Sequence, residues 1–125
     1  MLELVRLVAG SRFVIYGLRS EGHLLSAVEE YISGLTPREQ KKIDYLLRRA
    51  AVEGPPRNEE KSKALHGAAQ GLFEFKSKPH RLVYFYGRET GSIIVTHGFA
   101  KRGEDSPPEE IARALKIRAE YEKRG

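Results

Sequence analysis

The chain has no cysteine, no tryptophan, one methionine, no paired-aspartate motif and no His-Glu-x-x-His segment. Without cysteine there are no disulfides, thiolate nucleophiles or cysteine-based zinc sites, and a reducing cytosol is the simplest setting. The missing acidic and His/Glu motifs argue against a two-metal nuclease, so no metal and no cofactor is expected. Long apolar runs are also missing. The opening MLELVRLVAG carries Glu3 and Arg6, lacks a basic leader, and falls far short of the roughly 20 apolar residues that span a bilayer. A soluble, cytoplasmic protein is therefore expected.

What the chain does have is positive charge, unevenly spread. Residues 1–56 hold eight Lys/Arg against seven Asp/Glu, residues 57–103 nine against four, and residues 104–125 five against six. The net +5 thus sits in the middle third. A clustered positive field recruits polyanions through counterion release, whereas the alternative, a solvated basic face, mainly confers solubility. At 125 residues the chain reads as one domain, 1–125, able to bury roughly two-thirds of its unfolded surface.

Turn and cap signals outline the elements. RFVIYGL, residues 12–18, predicts a strand ended by Gly17 and polar residues. Leu24, Val28, Tyr31, Ile32 and Leu35 recur with helical spacing, and Gly34 stands where that helix should stop. Thr36-Pro37-Arg38-Glu39 is a capping box with proline at the first helical position. It opens a second helix whose stripe is Ile43, Leu46, Leu47 and Ala50 and which ends near Gly54. RNEEKSKALH, residues 57–66, reads as a charged loop with room for a helical turn or short strand. LFEFK, RLVYFY and SIIVTHGF, separated by SKPH and GRETG, predict an antiparallel meander. Ser106-Pro107-Pro108-Glu109 repeats the helix-start signal before Ile111, Ala114, Leu115 and Tyr121. The fold class is α+β: a strand, two helices, an antiparallel meander and a C-terminal helix, with the helices packed on one face of a small twisted sheet.

Function depends on the other face. Alternation puts Phe73 and Phe75 toward the helices and Leu72, Glu74 and Lys76 away from them. Arg81, Val83 and Phe85 share a side, and Arg81 joins Lys76 only in one of two registers. Short turns would bring Lys76, Arg81 and the HGFAKR corner, with His97, Lys101 and Arg102, into one cationic bowl. Such a bowl suits a phosphodiester. Guanidinium groups grip phosphate oxygens in pairs, and pre-placed cations favour the charge that grows on phosphorus oxygens during attack. RNA carries its own nucleophile, the 2′-hydroxyl; DNA does not.

KALHG, GLFEFK, HRLVYFYG, IIVTHGFAKR and SPPEEIARA, in this order, resemble the RelE superfamily of bacterial toxins, most closely its HigB-like, phage-derived branch. The resemblance covers residues 12 to about 121. It implies a RelE-like fold and the toxin of a type II toxin-antitoxin system, an mRNA interferase that cuts mRNA on the translating ribosome. The implied partners are mRNA, the ribosome and a small antitoxin, often with a helix-turn-helix domain. The alternative is a catalytically silent RNA-binding or antitoxin-binding module of the same fold.

Carried over residue by residue, the resemblance assigns Lys76 and Arg81 to the scissile phosphate; the plain alternative for each is an ordinary strand cation. His66 stands where the family often has lysine, and would be a general acid or base or simply a loop histidine. Several relatives end the last strand with a catalytic tyrosine, but here Phe99, Ala100, Lys101 and Arg102 follow one another. Phe99 cannot exchange protons, and would stack on a base or sit in the core. Lys101 joins the catalytic set, and Arg102 is assigned to RNA. His97 would donate to substrate or lie satisfied within the sheet. Lys61, Lys63 and Lys78 would touch backbone phosphates or remain solvated.

Overall fold

The computed structural model describes residues 2–57, 62–65, 67–103 and 106–124. The N-terminal stretch, unassigned above, forms a strand, β1 (Leu2–Ala9), which makes an antiparallel hairpin with β2 (Val14–Ser20). β2 starts two residues later than expected because the chain turns over Gly10–Phe13. There the backbone N–H groups of Arg12 and Phe13 both donate to the Ala51 carbonyl. Gly10 is required at this crossing, since a Cβ would lie 2.4 Å from the Ala51 carbonyl carbon.

Two capping boxes define the next elements. In α1 (Ala27–Ser33), Ser26 accepts from the Glu29 N–H while the Glu29 carboxylate accepts from the Ser26 backbone. This cap starts the helix after Leu24, which is therefore not part of its buried stripe and stays 91% exposed. In α2 (Pro37–Glu53), Thr36 and Glu39 make the expected box, and Ile43, Leu46, Leu47 and Ala50 are buried with Ala51. A short β3 (Ser62–Ala64) and a 3₁₀ turn (Gly67–Ala69) follow. The expected meander is then β4 (Phe73–Ser77), β5 (His80–Tyr86) and β6 (Ser92–Ala100), and α3 (Pro108–Glu122) ends the chain.

The α+β class and the order of elements match expectation. Among the described residues the sheet has six strands in the order β1-β2-β6-β5-β4-β3, and β2 runs parallel to β6 while every other pair is antiparallel. The layering differs from expectation, because helices cover both faces. On one, Val28 of α1 and Ile43, Leu47 and Ala50 of α2 pack on Ile15, Phe75, Leu82, Tyr84 and Val95. On the other, Ala114 and Tyr121 of α3 pack on Leu72, Val83, Phe85, Ile94 and Phe99. The cause is visible in LVYF and IIV, unbroken apolar runs that expose greasy side chains to both sides and so demand two covers.

The start of α3 also departs from expectation. Its N-cap is Pro107, with no side-chain cap, and the Ser106 hydroxyl instead donates to Glu74 Oε2. That bond pins the strand-to-helix connection onto β4. No helix among the described residues is long and apolar enough to cross a membrane.

Candidate functional site

Strand register assembles the basic corner. Lys76 of β4 lies opposite Arg81 of β5, and Arg81 lies opposite Phe99 of β6. Two residues inward, Glu74 faces Val83 and Val83 faces His97. With period-two alternation, Glu74, Lys76, Arg81, His97 and Phe99 share the face that α3 partly covers. After β6 the Lys101 N–H donates to the Pro79 carbonyl at 2.8 Å, folding Lys101 against the β4–β5 turn that carries Lys78. Lys78 and Arg102 are exposed, and Lys76 and Lys101 are half-buried.

Arg81 is more enclosed than a bare sheet would leave it, at 8% exposure. Its Nη1 donates to the His80 carbonyl at 3.2 Å, and its Nε stands 3.8 Å from Oε1 of Glu74, which is 1% exposed. Among the described residues neither Arg81 Nε nor Glu74 Oε1 has a hydrogen-bond partner, although Glu74 Oε2 accepts from Ser106. A buried ion pair with unfilled hydrogen-bonding capacity is costly to keep, and such groups recur where chemistry rather than stability sets the sequence.

His97 is satisfied. Thr96 Oγ1 lies 2.9 Å from its Nδ1 and Glu110 Oε1 of α3 lies 3.1 Å from its Nε2. Burial, helped by the Arg113 cation, pushes the imidazole down to about 4, so the ring is neutral at pH 7. In that form Nε2–H donates to Glu110, while the Thr96 hydroxyl beside Nδ1 donates to the Val83 carbonyl at 3.2 Å. Of the two readings given above for Phe99, base stacking or core, the structure has the second: it is a core side chain at 5% exposure, tilted against the His97 ring. Lys63 pairs through its backbone with Glu74 at the β3 edge. His66 and Lys61 lie outside the described residues.

One constellation escaped the sequence reading. His80, next to Arg81 but pointing to the opposite face, is held between Tyr31 of α1 (Oη to Nδ1, 2.6 Å) and Glu39 of α2 (Oε2 to Nε2, 2.6 Å). Glu39 thus works twice, since its other oxygen closes the α2 capping box. The hydrogen bond from His80, reinforced by those from Thr36, holds the Glu39 carboxyl down to about 2. Burial, then the Glu39 and Glu110 carboxylates, raises the Tyr31 phenol above its usual value, so this group stays protonated and donates to His80. The network ties both helices to β5. Strand alternation from Arg81 was the signal that sent His80 toward the helices.

The architecture is that of a mixed α+β domain in which two neighbouring strands, β4 and β5, and the segment that follows β6 deliver basic residues to one end of the sheet. Residues 30–119 match the family described as phage-derived protein Gp49-like (DUF891), and the chain belongs to that family. No curated protein matches the sequence. Among solved structures, the chain is similar to one in the crystal structure of the toxin-antitoxin complex RelBE2 from Mycobacterium tuberculosis. The two are 17% identical, the match covers 60% of this chain and 83% of that one, and the TM-score is 0.44.

Proposed function

We propose that this protein is the toxin of a type II toxin-antitoxin system, of the RelE superfamily and its HigB-like branch, and that it cleaves mRNA on the translating ribosome. The observation that carries the reading is the cross-strand pairing of Lys76 with Arg81, with Lys101 folded back beside the same turn. Membership of a phage-derived family is in keeping with it. In this scheme Lys76, Arg81 and Lys101 hold the scissile phosphate and the ribose 2′-hydroxyl attacks in line. The 5′-oxygen leaves, and a cyclic phosphate remains. Cations already in place favour the transition state because the phosphoryl oxygens gain charge as it forms. His66 is the candidate for proton transfer, while Lys61, Lys63, Lys78 and Arg102 extend the contact with RNA. The proposed partners are mRNA, the ribosome and a small antitoxin, in the cytoplasm.

A second reading, the catalytically silent module, has one observation in its favour: Arg81 is buried against Glu74. Induced expression followed by primer extension on translated mRNA separates the two. The nuclease reading expects growth arrest and fragments with cyclic-phosphate ends, both abolished in Lys76→Ala. Intact mRNA after induction of the wild-type chain would remove the enzyme claim, and equal cutting of ribosome-free RNA would remove the ribosome requirement.

A further inference from the structure

A groove of about 750 Å³ runs between α2 and the end of β4, apart from Arg81, and is lined on the helix side by Lys42, Tyr45 and Arg49. Arg57, Lys76 and Lys78 line it on the other side. Among the described residues Glu53 is the one acidic residue lining it, and it is already bound to Arg49 at 2.6 Å. Lys42, Arg57 and Lys78 are exposed and make no hydrogen bond or ion pair among the described residues. Tyr45 is 61% exposed although it is a large aromatic side chain. The Arg49 guanidinium lies over its ring, 5.7 Å from the centroid, and donates to its hydroxyl at 3.0 Å.

This combination has a specific chemistry. Unpaired cations along both walls bind a chain of phosphates, and an exposed ring with a guanidinium against it offers a flat platform for a base. An acidic peptide would use the cations but has no need of the platform. The groove also meets the candidate site, since Lys76 lines it and pairs with Arg81 across the strands. We propose that the α2–β4 groove is a second nucleotide subsite, in which Tyr45 stacks on a base and Lys42, Arg57 and Lys78 hold the single-stranded RNA that flanks the phosphate at Arg81. This rests on the RNA-binding reading and adds to it a place for the strand beyond the cut.

The test is fluorescence anisotropy of the full chain with a short end-labelled single-stranded oligoadenylate RNA, measured across a salt series. Tyr45→Ala should weaken binding roughly 10- to 100-fold with the salt slope unchanged. Lys42→Ala with Arg57→Ala should lower the slope by about 1.4, at roughly 0.7 per phosphate contact on a single strand. All three positions are exposed, so circular dichroism should confirm folded variants. Wild-type affinity and slope in both variants would overturn the proposal. So would displacement of the RNA by polyglutamate whose own binding is lost in Lys42→Ala/Arg57→Ala but kept in Tyr45→Ala, which would assign the groove to an acidic protein. Failure of the wild-type chain to bind RNA at all would sink this subsite together with the RNA reading. Groove-dependent binding without cleavage of translated mRNA would uphold the subsite and sink only the nuclease.

Discussion

Removing the Glu74 carboxylate while leaving Arg81 in place tests the energetics of the basic corner. Glu74 is 1% exposed and Arg81 8%, so Glu74→Leu strands a guanidinium whose counter-charge among the described residues, at 3.8 Å, has gone, and it also takes the acceptor from Ser106. Breaking a buried pair from one side costs about 3–5 kcal/mol. The long separation and the unfilled Nε argue for the lower figure, about 3 kcal/mol. With an unfolding entropy of about 2.1 cal/mol/K per residue over 125 residues, that corresponds to a fall in Tm of roughly 11 °C. Arg81→Met should cost a similar amount by orphaning the carboxylate. The double variant Glu74→Leu/Arg81→Met should return to within about 1 kcal/mol of the wild type, because an apolar pair of similar volume replaces two desolvated charges. Urea unfolding followed by circular dichroism, with equal m-values across the four proteins, gives the coupling energy. If the two single losses simply add in the double variant, the pair is not coupled and the reasoning about a buried ion pair is wrong. On the nuclease reading the double variant folds yet does not cut, which separates loss of chemistry from loss of structure.

Other perturbations read other parts of the structure. His97 is held neutral, with its imidazole lowered to about 4 against about 6.5 when unfolded, so the unfolded chain binds the extra proton first. Stability should be full above pH 6.5 and fall by up to roughly 3 kcal/mol toward pH 4, a slope that His97→Gln should flatten in urea midpoints taken across that range. The Glu39 carboxyl is lowered to about 2, so its contribution is present above the ordinary carboxylate range and lost as acid approaches pH 2. Acid-unfolding curves of Glu39→Gln and the wild type should therefore converge at the acid end, and curves that stay parallel would contradict the His80 link. Gly10→Ala places a methyl 2.4 Å from the backbone of Ala51, which cannot swing aside. A loss of about 3 kcal/mol or more in thermal unfolding is expected, and a shift below about 1 kcal/mol would mean that the hairpin turn sits off α2.

Local signals in the chain announced what local chemistry decides. The Thr36–Glu39 box, the glycine stop after α1 and the turns of the meander are all readable because each rests on a few adjacent residues. Lys76 and Arg81 flank the SKPH turn, so a tight hairpin leaves them few ways not to meet. What was hidden depends on distant partners. The parallel seam between β2 and β6 joins segments with both helices and most of the meander between them. The face taken by α3 could not be read from LVYF, since a run apolar at every position carries no alternation to orient it. The capture of Ser106 by Glu74 diverted a residue whose local role looked like a cap. Alternation gave the face of His80 but not its bonds, because its two partners lie on separate helices far upstream.

The β2–β6 seam has a consequence for synthesis. Until Ser92–Ala100 has emerged from the ribosome, the amino-terminal hairpin has no neighbour to zip onto, and the core under α1 and α2 lacks Ile93 and Val95. Closure must wait for a contact between remote parts of the chain, which makes folding a late event in translation. A chain that stops before that strand leaves the β1–β2 hairpin without its β6 neighbour.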